Sequence, residues 1–432
     1  PIEFQTELRR VSDLLTDYSK ASSGKINIVS KEPDKDEAIK TEAETAGITP
    51  IQFSVNSQDS SQVVVGYFGV TMEYKDKKEV INFNNEILND LEYQITKIVK
   101  KLTETEKKQV AFISNNVAHT TGTDLNSLQT ELADLFNVQQ LDLTKDLNTI
   151  SSDIDLVIIA GPNQAFDDQS IQSLKNYYLN GGSIMLLTDP VDTNSETPVI
   201  NKDSLANLFE DFGVKVNNDL VYDLENNNII AMQSLFSPVI LNFPQWIISM
   251  PIDNSTSINK DVSAVSLLWA SSINAQQKEG QKLYKLLQTG SNSNVQTEGN
   301  FSTSFEQEWA PKSSDGVQTV GVALENAKGG RAVIISDADF ITDNILQALS
   351  QRNEQDKEVI SFTLNSISWL VRDSLIGSIK AKTNSAKPLN LNSSQQVTYL
   401  AVSIGVPILL CIAVFAVITV SKRRISNKQY SV

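Results

Sequence analysis

The chain has 432 residues, carries 36 Lys and Arg against 52 Asp and Glu, and holds one Cys and one His. That length suits two or three domains, and a net charge of −16 argues against a nucleic-acid partner, because phosphate binding needs a basic face. The single Cys411 excludes an internal disulfide and a cysteine-built zinc site, and the single histidine excludes multi-histidine metal centres and leaves little scope for histidine-based catalysis.

Residues 1–103 read as a small α/β unit. Phe4, Leu8, Val11, Leu14, Leu15 and Tyr18 recur at helical spacing, and Gly24 lies just beyond as a stop signal. A strand is expected at 26–29 (INIV), then a helix over 36–46 that Gly47 ends. Segments 51–55, 63–74 and 80–83 read as strands from their β-branched and aromatic content, with Asp76-Lys77 turning between the last two. Asn84 or Asn85 caps a long helix, 86–102, with Ile87, Leu91, Ile95, Ile98 and Leu102 on one face. The order α-β-α-β-β-β-α resembles a thioredoxin-like domain, but no Cys-x-x-Cys is present and thiol redox chemistry is excluded.

A charged hinge at 103–108 leads into a second domain, set at 104–380. It opens with a buried-strand pattern at 110–114, followed by a helix at 125–136, a strand at 138–143 and an apolar run at 154–160. A helix at 167–179, Gly181-Gly182, a strand at 183–187 and a helix at 203–212 capped by Asp203 come next. Apolar strands separated by amphipathic helices predict a parallel sheet covered on both faces. Residues 217–310 lose this rhythm, are rich in Asn, Ser and Gln, and hold Trp246, Trp269 and Trp309; they read as an insertion of strands and loops. The core resumes at 317–324, turns at Lys328-Gly329-Gly330, continues at 332–336 and ends in a helix at 359–371. Residues 381–398 read as a juxtamembrane linker.

An open α/β sheet binds ligands outside the carboxyl ends of its strands. Ser114-Asn115-Asn116, Gly161-Pro162-Asn163, Thr188-Asp189-Pro190 and Ser336-Asp337-Ala338-Asp339 fall there. Asp337 and Asp339 have the spacing to bind Mg²⁺ or act as acid and base. Turn and cap chemistry predicts Asp at 189, 337 and 339 whatever the function, and is the favoured reading. His119 has no Cys nearby and no Gly-x-Ser-x-Gly elbow, so it reads as a polar surface residue in a loop. Without a Gly-x-x-x-x-Gly-Lys-Ser/Thr motif the chain is not itself a P-loop ATPase. The insertion tryptophans suit a sugar or partner platform and suit a core equally well. Asn115, Asn116, Asn163, Asp189, Asp337, Asp339, Trp246 and Trp269 are therefore the candidate ligand or partner surface. No catalytic, cofactor or metal residue is assigned.

The run from Tyr399 to Val420 contains no charge. At a rise of ~1.5 Å per residue it would span about 33 Å, enough for a hydrocarbon core of about 30 Å. Pro407 would kink such a helix. Lys422, Arg423, Arg424 and Lys428 follow it, so the positive-inside rule predicts a cytoplasmic tail at 421–432 and residues 1–398 outside. Pro1 is preceded by no export signal, and a further N-terminal membrane span is expected upstream.

The assembled pattern resembles the gliding-motility-type (GldG-like) auxiliary proteins of ABC transporters over nearly the whole chain. It rests on LRRVSDLLTDYSKASSGKINIVSKEPDKDE, VVVGYFGVTMEYKDKKEVINF and KIVKKLTETEKKQVAFIS in the first part. It continues through DIDLVIIAGPNQAFDDQSIQSLKNYYLNGGSIMLLTDP, GGRAVIISDADFITDN and FTLNSISWLVRD to the terminal apolar segment. The resemblance implies a second domain similar to class I glutamine-amidotransferase (flavodoxin-like) domains with no nucleophile retained. It also implies an extracytoplasmic subunit beside a permease and a separate ATP-binding subunit, without a cofactor; a dimer is compatible with it. Where the family often has a Gly-His-Gly-Glu-like turn, this chain has Asn115-Asn116-Val117-Ala118-His119, so no catalytic residue is carried over. The expected function is thus a non-enzymatic, membrane-anchored ABC transporter accessory subunit, with lipid around 399–420. The alternative is a solute- or glycan-binding ectodomain, and an Asp-based hydrolase using Asp337, Asp339 and His119 ranks last.

Overall fold

The computed structural model describes residues 2–373, apart from 34, 58–59, 85–86, 89, 105, 146–148, 196, 233–238, 253–254, 305–306, 308, 310–313 and 351–354. The expected linker 381–398, membrane segment 399–420 and basic tail, with Tyr399, Pro407, Val420, Lys422, Arg423 and Arg424, lie outside the described residues. Among the described residues no helix is long and apolar enough to cross a membrane.

Helix Ile2–Ala21 buries Val11 and packs Leu14, Leu15 and Tyr18 against Phe68, Ile81, Phe83, Leu88, Leu91 and Ile95. The strand expected at 26–29 is not formed. The Ser19 hydroxyl donates to the Ile26 carbonyl and the Ile26 N–H donates to the Ser22 hydroxyl. The helix-end serines thus take the groups a sheet would use, and the Ile28 and Val29 side chains are exposed. Helix Glu37–Thr45 starts at Asp36, whose carboxylate accepts the Ala38 N–H at 2.8 Å. Strands Pro50–Ser57 and Ser60–Tyr67 pair antiparallel, as do Gly69–Tyr74 and Lys77–Asn82. The single strand expected over 63–74 is therefore two, parted at Phe68, which turns inward onto the Phe83 ring with centroids 4.9 Å apart. Asn84 supplies the cap expected there, its side chain accepting the Ile87 N–H at 2.8 Å. Helix Leu91–Thr103 buries Tyr93 among side chains of the large sheet's core, while its Lys97 bridges Glu131 at 3.1 Å and Asp134 at 2.8 Å.

Among the described residues the large sheet has ten strands. Its parallel part runs Asn137–Leu141, Gln109–Ile113, Leu156–Ala160, Ser183–Leu187, Arg331–Ile335. In chain order that is 2-1-3-4-5, the flavodoxin-like order. Strands Leu156–Ala160 and Ser183–Leu187 are buried at every position, which is why they read as continuous apolar runs. Helices Asn126–Ala133 and Gln355–Leu370 contribute Leu128, Leu132, Phe362 and Leu364 to one apolar cluster; helix Asp168–Leu179 contributes Leu174, Tyr177 and Tyr178 to the other.

Beyond Arg331–Ile335 the sheet turns antiparallel through Thr319–Asn326, Gln281–Gln288, Val239–Pro251 and Asn227–Met232, with Val265–Leu268 paired to Val239–Pro251. The sheet is mixed, not parallel throughout, and the segment read as an insertion lengthens it. The helix expected over 203–212 is also corrected: the chain makes turns and closes with the short 3₁₀ segment Glu210–Phe212. Thr188 donates its hydroxyl to the Ser204 carbonyl, the Asn201 side chain accepts the Asp203 N–H at 3.1 Å, and Leu205 sits at φ 53°. Side chains have claimed the backbone groups that an α-helix needs there.

Candidate functional site

A 2-1-3-4-5 sheet has its crevice where strand order reverses, outside the carboxyl ends of its first and third strands. Here those are Gln109–Ile113 and Leu156–Ala160, and the loops after them fill the crevice themselves. Asn115 accepts the Leu143 N–H through its side-chain oxygen at 3.1 Å, and its Nδ2 is buried with no partner among the described residues. Asn116 adopts φ 60°, donates its amide to the Ala165 carbonyl at 2.6 Å and accepts the Asn163 N–H at 3.1 Å. Val117 bridges Pro162, and the Ala118 N–H reaches the Gly161 carbonyl at 2.6 Å. Gly161 sits at φ +65°, where a Cβ would lie 2.9 Å from the His119 ring, so only glycine lets the imidazole lie over this strand end.

The loops after Ser183–Leu187 and Arg331–Ile335 complete the rim. His119 Nδ1 is 2.6 Å from Asp124 Oδ2, and its Nε2 is 3.2 Å from Asp339 Oδ1. Asp337 is fully buried; its Oδ2 accepts the Leu268 N–H at 2.5 Å, and its Oδ1 accepts those of Asp339 at 2.8 Å and Phe340 at 3.3 Å. Asp189 accepts the Ala338 N–H at 2.8 Å. Carboxylate oxygens of Asp189, Asp337 and Asp339 lie within 4.8 Å of one another.

Burial is the largest influence on His119 and favours the neutral ring, but the hydrogen bonds and charges of Asp339 and Asp124 together outweigh it and raise its pKa to about 9. His119 is therefore an imidazolium at neutral pH. Burial, followed by the charge of Asp339, pushes Asp189 up to about 7. Asp337 is raised well above the usual carboxylate range, by burial first and then by the charges of Asp189 and Asp339.

This arrangement closes on itself. Both oxygens of Asp337 are taken by backbone donors, and the imidazolium supplies the positive charge that a cation would bring to Asp339. Both ring nitrogens of His119 face carboxylates, so neither faces a nucleophile it could activate. The cluster brackets four loops together, and the favoured reading of Asp337 as a turn-capping residue describes its backbone contacts.

The structure gathers Asn115, Asn116, Asn163, Asp189, Asp337 and Asp339 on this rim. Trp269 follows Leu268, the residue held by Asp337, and meets Trp246 edge-on with centroids 5.7 Å apart. Both rings are partly buried against the core beside Phe243. Trp309 is not part of that pair and stacks instead near Tyr222, at 4.9 Å. Sequence reasoning missed Asp124, whose signal was its place five residues after the only histidine. A cleft lies elsewhere, at the amino ends of Leu156–Ala160 and Ser183–Leu187 beside helix Asp168–Leu179. Geometry and charge single out the carboxyl-end rim, and the cleft is separate from it.

A family model described as an ABC-type uncharacterized transport system matches residues 107–367, more than half of the chain. A second, a domain of unknown function, matches residues 1–73. An uncharacterized protein of Borreliella burgdorferi is 27% identical over 284 residues, 62% of this chain and 53% of that protein, so the chain spans about half the length of the relative it matches. Among solved structures, the mmIFT52 N-terminal domain is 18% identical with a TM-score of 0.42, covering 61% of this chain and 97% of that one. A ThuA-like protein from Bacteroides uniformis is 10% identical at 0.34, covering 62% and 93%. A glutamine amidotransferase from Thermotoga maritima is 10% identical at 0.30, covering 62% and 99%.

Proposed function

Because the chain belongs to the ABC-type uncharacterized transport system family, an auxiliary component of ABC transport, we propose that it is a non-enzymatic accessory subunit that docks on a permease driven by a separate ATP-binding protein. The finer assignment is to the GldG-like members, with a small α/β first domain at 1–103, whose described strands pair as two antiparallel hairpins and not in the thioredoxin-like order expected, and an amidotransferase-like second domain at 104–380. The uncharged run 399–420 anchors the body outside the membrane, and the basic residues Lys422, Arg423 and Arg424 stay in the cytoplasm.

The observation that carries the non-enzymatic part is the His119 contact set. The one imidazole of the chain is held between Asp124 and Asp339, in the crevice where an α/β enzyme would seat its substrate. A rim so occupied suits a rigid body that transmits or gates through contacts. ATP hydrolysed by the partner supplies the energy.

Membrane attachment is tested by fractionating cells that make the full chain and a version ending before Tyr399, then adding protease to intact cells. The full chain should sediment with membranes, with its body digested from outside. Recovery of the full chain in the soluble fraction, or protection of its body in intact cells whose surface controls are digested, would contradict the proposed anchoring.

A further inference from the structure

We propose that the cleft between helix Asp168–Leu179 and the segment 149–155 binds a neutral, polyhydroxylic ligand of the oligosaccharide class. This site is on the opposite ends of the strands from the His119 rim and does not depend on the transporter reading. Its volume is about 640 Å³, inside the range of about 300–1,000 Å³ of small-ligand clefts.

The chemistry of the wall points to the ligand. Gln169, Gln172 and Asn176 lie at i, i+3 and i+7 and share the helix face that lines the cleft. A solvated helix face carries charged or polar side chains, and this stripe is formed of neutral amides. The helix's own cation, Lys175, is committed to Asp211 at 2.6 Å, away from the cleft lining. Gln172 donates to Asn176 at 2.9 Å. That bond leaves the Gln172 carbonyl oxygen as an acceptor and the Asn176 amide as a donor, the pair that a sugar hydroxyl needs, since each hydroxyl both gives and receives.

The floor is fixed by Tyr177, buried, with its hydroxyl donating to the Ile154 carbonyl at 2.8 Å. One end holds Asp155 and Arg372. Asp155 is oriented by Lys108 at 2.9 Å and by the Gln109 N–H at 2.8 Å, and Arg372 donates to the carbonyls of Gly181 and Gly329. A carboxylate and a guanidinium so placed hydrogen-bond adjacent hydroxyls, and since Asp155 and Arg372 bring one charge of each sign to the lining, an anionic ligand gains no net attraction there. With Tyr177 covered, little ring surface is left for stacking, so affinity is weak.

The full chain in a sugar-free detergent is titrated with maltotetraose, cellotetraose and chitotetraose, and with tetragalacturonate as the acidic counterpart, by calorimetry and saturation-transfer NMR. At least one neutral tetrasaccharide should saturate, and Gln172→Glu and Asn176→Lys should each weaken it at least about tenfold. Both substitutions fall on exposed helix positions, and an unchanged melting temperature verifies the fold. Silence from all three neutral sugars, binding untouched by either substitution, or tighter binding of tetragalacturonate would each overturn the proposal.

Discussion

The imidazole of His119 and the carboxylate of Asp339, 220 positions apart in the chain, meet at 3.2 Å across the carboxyl end of the large sheet. His119 comes from the loop after the first parallel strand and Asp339 from the loop after the last. Their contact, continued to Asp124 at 2.6 Å, holds a cation among acids that would otherwise repel one another.

Replacing His119 with Gln keeps a hydrogen-bonding side chain but removes the charge. Asp124, Asp339 and Asp189 then face one another without a counter-ion. Urea unfolding should show a loss of about 2–4 kcal/mol, the cost of leaving partly buried charges unpaired. A loss below about 0.5 kcal/mol would assign the contact no structural weight.

The same cluster sets a pH dependence. The folded pKa of His119 is raised to about 9 from 6.5, so its stabilisation is complete below about 6.5 and is lost as pH rises through about 9. Asp189 is raised to about 7 from 3.8; the folded state holds that proton more tightly, so stability also falls as pH climbs between those values. Both groups act in one direction. Thermal unfolding from pH 5 to 10 should show a decline, and His119→Gln should flatten its alkaline part.

Asp337→Asn tests the buried bracket. The amide nitrogen would face one of the backbone donors that Asp337 now accepts, from Leu268, Asp339 or Phe340. The expected cost is about 2 kcal/mol, with faster amide exchange at Leu268. A variant as stable as the parent would show that the bracket is dispensable.

Gly161→Ala places a methyl 2.9 Å from the His119 ring at a φ of +65°. Left-handed strain and the clash together should cost about 1–3 kcal/mol. The His119 side chain should move, which its ring NMR signals would report.

Much of this was legible in the residues because the signals were local. Ser183–Leu187 and Leu156–Ala160 are buried on both sides and so are written as unbroken apolar runs. The helices expected at 36–46 and 167–179 form, each capped by a carboxylate, Asp36 and Asp167, that acts within three residues. What was not legible depends on distant partners. Residues 203–212 carry a helical pattern, but Thr188 and Asn201 bind their backbone first. The tetrad Ile26-Asn27-Ile28-Val29 has no strand beside it among the described residues. The rim was located from strand ends, yet its closure required His119 to meet Asp339, which no spacing encodes.

The central claim is partnership with a transporter, and the direct measurement is isolation of the tagged full chain from native membranes in mild detergent, followed by mass spectrometry of what accompanies it. A multi-span permease and an ATP-binding protein should co-purify in constant proportion. Recovery of the chain alone, from preparations in which other membrane complexes remain intact, would contradict the account.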